Sequence, residues 1–281
     1  MTTPSASQGR DAAHPPWILG PGNPCRDDDA FLTCRYGCVS FSSVSVIKLI
    51  IRSVIATALL AHNAWAEDRI TLGVKLLGAG WEGDNGSVSG DFASTNGGQL
   101  AISAAYSVDK FYVGINLQNG QYQFDNTAPD QFTPGARISS SNVEIQQQEL
   151  DLLAGYYFWE SVSLFLDLKG VSNTWSSTNY KQNFGGLGLG ATAHLPLNTD
   201  WTGFGSLGFV GRGEVKDDNK VKVGEGSSGA LELGAIYRLA DNSTLNMGIK
   251  FRNYRFDYLD NTTQDYSVNA LFVGYNHVFS M

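Results

Sequence analysis

Histidine is the side chain that most often performs general acid–base catalysis, and this sequence offers few of them. Beyond Glu67 the chain contains only His194 and His277. His194 lies two residues before Pro196, and His277 lies two residues before Phe279, so each stands beside a short turn or the chain end. We interpret both as interfacial residues. The sequence therefore predicts no catalytic residue and no enzyme activity.

Charged residues are the second set of candidates for chemistry. They recur at every second position, beside apolar residues. Side chains with this period share one face of a sheet. The candidates for a network of interior charges are Lys75, Glu149, Asp151, Asp167, Lys169, Arg212, Glu232, Arg238, Lys250 and Arg252, with Arg69 and Glu214 on the same faces. Such charges can form an ion-selective constriction. Because both signs are mixed here, we favour mutual neutralisation.

Two predicted tight turns suggest which of these charges are partners. The first turn places Asp151 directly opposite Lys169, and the second places Glu232 opposite Lys250. Opposed charges on neighbouring strands contribute roughly 0.2–1 kcal/mol each. Their larger effect is to avoid an uncompensated charge inside the protein, which costs several kcal/mol.

No motif indicates a cofactor or a metal. The segment Gly185–Gly190 is rich in glycine, but it lacks the G-x-G-x-x-G spacing and no helix follows it, so we expect no nucleotide. The run Asp217-Asp218-Asn219 is typical of a solvated loop tip. All three cysteines precede Glu67, so the rest of the chain offers no disulfide, thiolate metal site or cysteine nucleophile.

Alternation of apolar and polar residues is the dominant pattern after Glu67, and it predicts β-strands. The pattern occurs in ten segments: 70–76, 100–106, 111–117, 150–158, 162–168, 187–195, 207–209, 231–239, 245–251 and 271–279. Tight turns are predicted at 108–109, 159–161 and 240–242, and long exposed loops at 81–98, 126–143 and 214–228. An even number of strands with alternately short and long connections predicts an all-β fold, a ten-stranded antiparallel up-and-down transmembrane β-barrel.

The first 66 residues differ from the rest. Residues 1–45 contain several prolines and an acidic run without periodicity, which indicates a disordered extension or translated upstream sequence. Residues 46–66 resemble a signal peptide, with Lys48 and Arg52 before a short apolar stretch and Ala64-Trp65-Ala66 as a cleavage site. We expect export, cleavage after Ala66, and a barrel domain over residues 67–281.

The charge of that domain excludes one class of partner. Residues 67–281 contain 14 Lys and Arg against 23 Asp and Glu, a net charge of −9. Because nucleic-acid binding normally requires a basic face, we expect no nucleic-acid partner.

The apolar rows end in aromatic residues near both ends of the strands, which is typical of a barrel whose apolar face meets a bilayer. The last strand, SVNALFVGYNHVF, with Leu271, Val273, Tyr275 and Phe279 alternating, resembles the C-terminal strand of Gram-negative outer-membrane β-barrels. This resemblance covers the architecture of the whole exported part, as a small porin-like or surface-antigen-like barrel, and is not specific to any subfamily. The chain departs from the pattern by adding Ser280 and Met281 after the aromatic residue.

The resemblance implies a location in the bacterial outer membrane and several partners. These are outer-membrane lipid, lipopolysaccharide and the barrel-assembly machinery, which reads the C-terminal strand; a monomer is expected. The function that follows is a non-enzymatic structural or surface-exposed barrel, or a narrow pore with a salt-bridged lumen. The alternatives are an outer-membrane enzyme, either an omptin-like protease or a lipid A-modifying hydrolase, and a soluble lipocalin-like binder.

Overall fold

The computed structural model describes residues 68–86 and 90–281. The strands are β1 (Arg69–Asp84), β2 (Asp91–Ala93), β3 (Asn96–Val108), β4 (Phe111–Thr133), β5 (Ala136–Trp159), β6 (Val162–Trp175), β7 (Lys181–Pro196), β8 (Trp201–Lys216), β9 (Lys222–Ala240), β10 (Ser243–Tyr258) and β11 (Thr263–Ser280). No helix in the described ranges is long and apolar enough to cross a membrane. The predicted extension, signal segment and cleavage site lie outside the described residues.

The long strands form one closed antiparallel sheet. Each pairs with its neighbour in the chain, and β11 returns to pair with β1 from Arg69 opposite Ser280 to Asp84 opposite Asp265. The short β2 only adds to the end of β1. Closure satisfies the backbone groups that an open edge would leave unpaired. The predicted ten-stranded antiparallel β-barrel is confirmed.

An apolar belt surrounds the part of the barrel nearest the tight turns. Its members are exposed outward-facing side chains: Leu72, Val74, Leu76, Leu100, Ile102, Leu117, Leu164, Leu166, Leu187, Leu189, Leu207, Phe209, Leu231, Leu233, Met247, Leu271 and Val273. On β6, Leu166 is 55% exposed whereas its neighbour Asp167 is only 7% exposed. This polarity is opposite to that of a soluble barrel, so the lipocalin-like alternative is wrong.

Aromatic residues border the belt at the end of the barrel that carries the tight turns, which we call the short-turn end. The rings of Phe111 and Tyr156 lie 4.8 Å apart between centroids, and those of Trp201 and Tyr237 lie 4.9 Å apart. Aromatic side chains with a polar edge favour the interface between water and lipid. These pairs therefore indicate one boundary of the membrane-embedded part.

The strands continue well beyond the belt at the other end, and here the loop predictions are wrong. The segment 126–143 is almost entirely strand, with β4 ending at Thr133 and β5 beginning at Ala136. Likewise 214–228 contains only a short turn, and 81–98 contains the ends of β1 and β3. We call this part beyond the belt the outer extension. Its outward residues are mostly polar, so it lacks the continuous outward apolar row by which the other strands were recognised.

Candidate functional site

The interior of the membrane-embedded half carries most of the charges that the sequence placed there. Asp151 and Lys169 are register partners on β5 and β6, the pairing expected from the turn between these strands. Lys169 Nζ lies 2.5 Å from Asp151 Oδ1, and both side chains are buried. Asn116 on β4 donates a second hydrogen bond to Asp151 at 3.1 Å. The carboxylate thus has partners on both neighbouring strands.

Glu232 and Lys250 are also register partners, on β9 and β10, but they do not form an ion pair. Glu232 Oε1 instead lies 2.5 Å from Lys75 Nζ, whose ammonium group stands 4.7 Å from the centre of the Phe272 ring. Lys250 Nζ donates to Gln118 Oε1 at 3.1 Å. Register alone therefore identified the right strand positions and the wrong partner, because Lys75 can reach across the barrel.

Arg252 and Glu149 form the most deeply buried ion pair of the network, and each side chain is 1% exposed. Arg252 also donates to Gln99 Oε1 at 3.0 Å, and the Tyr254 hydroxyl donates to Glu149. Such a pair holds only when the remaining polar atoms find partners. Gln99 and Tyr254 supply most of these partners.

Arg212 does not face the interior, although it was predicted to. A bulge between Val210 and Gly213 shifts the register of β8 against β9. Each such bulge reverses the faces that follow it, and Arg212 is consequently 77% exposed on the outer wall. Glu214 is turned outward by the same bulge and pairs with Lys216 at 2.7 Å.

Arg238 and Arg69 are likewise exposed. Both lie at the short-turn end, where the strands leave the packed interior, so neither joins the network described above. The interior network of the described residues therefore consists of Lys75, Glu149, Asp151, Asp167, Lys169, Glu232, Lys250 and Arg252.

Both histidines lie at the short-turn end, as expected. His277 faces outward beside Phe279, 4.4 Å between ring centres, and its Nδ1 is 2.9 Å from Ser243 Oγ. His194 was interpreted as interfacial, but it pairs in register with Phe204, and its partly buried ring faces that residue inside the barrel. No group of three or more metal-ligating residues occurs within the described ranges.

The interior of the outer extension is packed with aromatic side chains, whereas the sequence pattern placed the aromatic residues at this end of the strands on the outward face; that second aromatic border is wrong. Its buried members include Trp81, Phe92, Tyr122, Phe124, Trp175, Phe184, Tyr254, Phe256, Tyr258 and Tyr266. Trp81 and Tyr122 meet edge to face with their ring centres 5.1 Å apart. Edge-to-face contacts of this kind are the preferred packing of aromatic rings. The cluster fills the barrel above the charge network.

The β4–β5 hairpin folds across the outer mouth. Residues 128–132 are all buried, which a regular strand on a barrel wall would not allow. Register shifts before and within this stretch interrupt its regular pairing with β5. Asn85 holds it there: its amide donates to the Ala128 carbonyl at 2.9 Å, and its oxygen accepts from the Asp130 backbone at 3.0 Å and from Gln264 at 2.7 Å.

The hairpin also contacts strands on the far side of the barrel. The ring of Phe132 stacks on Tyr258 of β10 with centroids 3.4 Å apart and planes 8° from parallel. The Tyr180 hydroxyl donates to the Phe132 carbonyl at 2.5 Å, and the Trp175 indole donates to the Pro129 carbonyl at 2.9 Å. The hairpin thus bridges the mouth from wall to wall.

Arg137 acts as a latch on this hairpin. Its Nε lies 2.6 Å from Asp130 Oδ2, and its Nη2 donates to the Asn85 carbonyl. Its guanidinium carbon stands 5.0 Å from the centre of the Phe132 ring. One side chain therefore ties β5 to β4, to the residue that follows β1 and to the aromatic cluster.

One sequence signal could have revealed the aromatic interior. Tyr254, Phe256 and Tyr258 alternate with Arg255 and Asp257. Period two with aromatic residues on one face and charges on the other is a strand pattern. In this segment, however, the apolar face points inward and the charged face outward, the reverse of the belt. A search for outward apolar rows therefore does not find it.

The outer wall carries a small charge cluster outside the belt. Glu225 accepts from Arg212, with the closest atoms 2.6 Å apart, and from Lys222 at 2.7 Å. The hydrogen bonds from Arg212 and then Lys222 lower the pKa of Glu225 to about 2. Nearer the mouth, burial raises the pKa of Tyr258 well above its usual value. These groups keep one charge state across the physiological range.

Comparison with known proteins identifies the class of this fold. No family model and no curated protein matches the sequence. Among solved structures, the outer membrane protease OmpT of Escherichia coli superposes with a TM-score of 0.52 at 10% identity, over 78% of this chain and 100% of that chain. Neisserial surface protein A gives 0.33 at 14% identity, over 74% and 96%. Ail, the attachment invasion locus protein of Yersinia pestis, gives 0.33 at 11% identity, over 76% and 99%. With its closed antiparallel sheet and outward apolar belt, the chain has the fold of a Gram-negative outer-membrane β-barrel.

Proposed function

We propose that this protein is a non-enzymatic, non-conducting barrel of the bacterial outer membrane that presents its outer extension at the cell surface. The observation that carries the proposal is that the interior is obstructed at two levels. Ion pairs occupy the membrane-embedded half, and the aromatic cluster with the β4–β5 hairpin occupies the outer extension. A conducting pore needs a continuous aqueous path, and both levels stand in that path.

The lower level resists solvent because six of its eight charges are already paired. Lys169 with Asp151, Lys75 with Glu232 and Arg252 with Glu149 are three ion pairs that cross the interior or join its walls. Removing one partner of a buried pair costs about 3–5 kcal/mol, since the other charge stays buried. Rearrangement of this level to admit ions is therefore expensive.

The upper level resists solvent because it is apolar and held from several sides. Its aromatic side chains would have to expose large surfaces to water if the hairpin swung out, at roughly 25 cal/mol per Å² of apolar surface. The polar outward rows of the same strands, with Glu82, Gln146, Asn253, Arg255 and Asp265 exposed, face water. A wall of this kind suits a protein that projects beyond the lipid.

Planar-bilayer recordings test the proposal. Three variants are compared with the wild type: one with residues 126–142 replaced by a two-residue turn, one with Asp151→Ala and Lys169→Ala, and one that combines both changes. We expect no steps of conductance from the wild type or from either partial variant, and stable steps from the combined one, because the two levels act in series. A control with residues 217–221 replaced by Asn-Gly shortens a hairpin whose turn lies at the rim and stays silent.

A different outcome would identify a narrow pore. Stable conductance of the wild-type protein that changes size with Lys169→Ala or Lys250→Ala would mean that ions already pass the charge network, and the closed-barrel proposal would be abandoned.

The partners expected from the sequence belong to the same proposal. The belt contacts membrane lipid, the outer wall beside it contacts lipopolysaccharide, and β11 is the strand offered to the barrel-assembly machinery. We propose a monomer, since the described residues leave no long strand edge through which a second copy could extend the sheet. Native mass spectrometry from micelles tests the last point, with a stable dimer as the contrary result.

A lipid hydrolase is the second candidate, and one contact favours it. Ser243 Oγ lies 2.9 Å from His277 Nδ1 on the outward face at the short-turn end, where phospholipid ester groups are near. A nucleophile needs such a base, and the base needs a third group to orient it. However, Tyr275 also contacts this nitrogen at 3.4 Å. Release of fatty acid from phospholipid vesicles by wild type but not by Ser243→Ala would establish the hydrolase.

A further inference from the structure

A cavity of about 250 Å³ lies inside the membrane-embedded half, below the aromatic cluster. Its lining combines charged groups with hydroxyl and amide side chains, among them Ser103, Asn116, Ser206 and Ser228. An apolar void of this size would stay dry, whereas a polar one takes up water or a polar solute. The composition of its wall is that of a site for a small polar molecule.

The charges around this cavity balance, but not all of them are paired. The network consists of the acids Glu149, Asp151, Asp167 and Glu232 and the bases Lys75, Lys169, Lys250 and Arg252. Three acids and three bases form the ion pairs described above. Within the described ranges, Asp167 and Lys250 remain without a salt-bridge partner, and both line the cavity. One carboxylate and one ammonium group are thus left for a ligand.

Asp167 carries the strongest indication of a site. The residue is only 7% exposed, and its Oδ1 is buried with no hydrogen-bond partner among the described residues. Lys250 on β10 makes a single hydrogen bond, to Gln118, out of the three that an ammonium group can donate. The two groups stand on strands that lie on different sides of the interior.

We propose that the cavity binds a small zwitterion, an α-amino acid with a short side chain, whose ammonium group pairs with Asp167 and whose carboxylate pairs with Lys250. The overall balance of charge decides between ligand classes. A lone cation or anion would leave the buried network with a net charge, which a low-dielectric interior disfavours. A zwitterion supplies both missing partners and keeps the interior neutral.

The size of the cavity narrows the class further. Pockets for drug-sized ligands range over about 300–1,000 Å³, and this one lies just below that range. It corresponds to roughly eight times the volume of a water molecule in the liquid. Small amino acids such as glycine, alanine and serine fit this space.

Equilibrium dialysis with radiolabelled L-alanine tests the proposal, on wild-type residues 67–281 folded into detergent micelles in the presence of the amino acid. Propionate, which lacks the ammonium group, and ethylamine, which lacks the carboxylate, serve as competitors. We expect saturable binding of one L-alanine per barrel. Each half-molecule should compete at least about tenfold more weakly, equivalent to about 1.4 kcal/mol. Asp167→Asn and Lys250→Gln should each weaken binding by a similar factor.

The matched control is Asp218→Asn, which removes an exposed carboxylate at an outer turn and should leave binding unchanged. Heat-modifiable mobility on gels checks that each variant is folded, and the competition experiment needs no variant at all. Three outcomes would overturn the proposal: no saturable binding by the folded wild type, propionate or ethylamine competing as well as L-alanine itself, or folded Asp167→Asn and Lys250→Gln variants that both bind like the wild type.

Discussion

The membrane-embedded half and the outer extension are built from the same strands with opposite polarity. In the first, leucines face outward and charges face inward; in the second, charges face outward and aromatic rings face inward. On β10 the change occurs within a few residues, since Phe251 is the last outward apolar residue and Phe256 lies fully inside. Alternation is thus a property of the strand, whereas the face that is apolar depends on the medium outside it.

The comparison also shows two different ways to fill a barrel. A lumen surrounded by lipid can contain polar groups, provided that they pair, because the apolar contacts lie on the outside. An extension surrounded by water needs an apolar interior for its stability, as any soluble domain does. The two halves should therefore respond differently to substitution.

The largest expected effect is a difference in lost stability between two phenylalanines of β10. Phe256 is 0% exposed within the aromatic cluster, and Phe251 is 38% exposed in the belt. We expect Phe256→Ala to lower the free energy of unfolding by about 3–5 kcal/mol, since it leaves a cavity. Phe251→Ala should cost about 1–2 kcal/mol, because lipid fills the space and only transfer energy is lost. Urea unfolding in lipid vesicles, followed by tryptophan fluorescence, measures both; equal losses would contradict the comparison.

The second largest difference is expected for a charge placed on the outward face, either in the belt or in the outer extension. Leu166 and Ser172 lie on the same outward row of β6, the former in the belt and the latter in the outer extension. We expect Leu166→Arg to destabilise the folded barrel by about 2–4 kcal/mol, as arginine does near the middle of a bilayer. Ser172→Arg should change stability by less than about 0.5 kcal/mol, the usual range for a water-exposed site. Similar values for both would place the belt boundary elsewhere.

The latch gives a smaller and more local effect. Arg137→Ala removes the ion pair to Asp130, the hydrogen bond to Asn85 and the contact with Phe132. We expect a loss of about 1–3 kcal/mol, confined to the outer extension. Hydrogen exchange should therefore quicken over residues 128–132 and remain unchanged in the amides around Lys169. Faster exchange throughout the barrel would show that the two halves unfold as one unit.

The smallest effect concerns the titration of Glu225 on the outer wall. Arg212 and Lys222 hold the pKa of Glu225 near 2. Their interaction with the ionised Glu225 therefore stabilises the folded state fully above the usual glutamate pKa, and this stabilisation is lost as the pH falls through about 2. Arg212→Ala should raise the pKa toward the ordinary value of about 4.3. The NMR chemical shift of the side-chain carboxyl carbon, followed against pH, measures this pKa. Because the site is exposed, added salt should also raise the pKa of Glu225. A pKa that does not move would assign the effect to Lys222 alone.

Sequence alone predicted the membrane-embedded half closely and the outer extension poorly. The rows of Leu164 and Leu166 or of Leu231 and Leu233 stand out because apolar residues at every second position are typical of a strand with one apolar face. The turn positions were clear enough to place Asp151 opposite Lys169. In the extension the outward residues are mostly polar, and the segment 126–143, which holds the end of β4 and the start of β5, was therefore mistaken for a loop.

Three features of the interior depend on contacts between distant residues, so no local pattern revealed them. The bulge in β8 turned Arg212 to the outer wall, and Lys75 rather than Lys250 became the partner of Glu232. The hairpin of residues 128–132 reaches its partners on other strands only after the barrel has closed.

What the sequence by itself determined is the strand, because alternation with a period of two is local and survives without any neighbour. It determined the barrel as well, since apolar residues on one face and charges on the other require a closed sheet in lipid. Only the tertiary structure decided which charges meet, where the faces are reversed and what closes the mouth. The physical reason is that these depend on bulges and on reach across the interior, which a single strand does not contain.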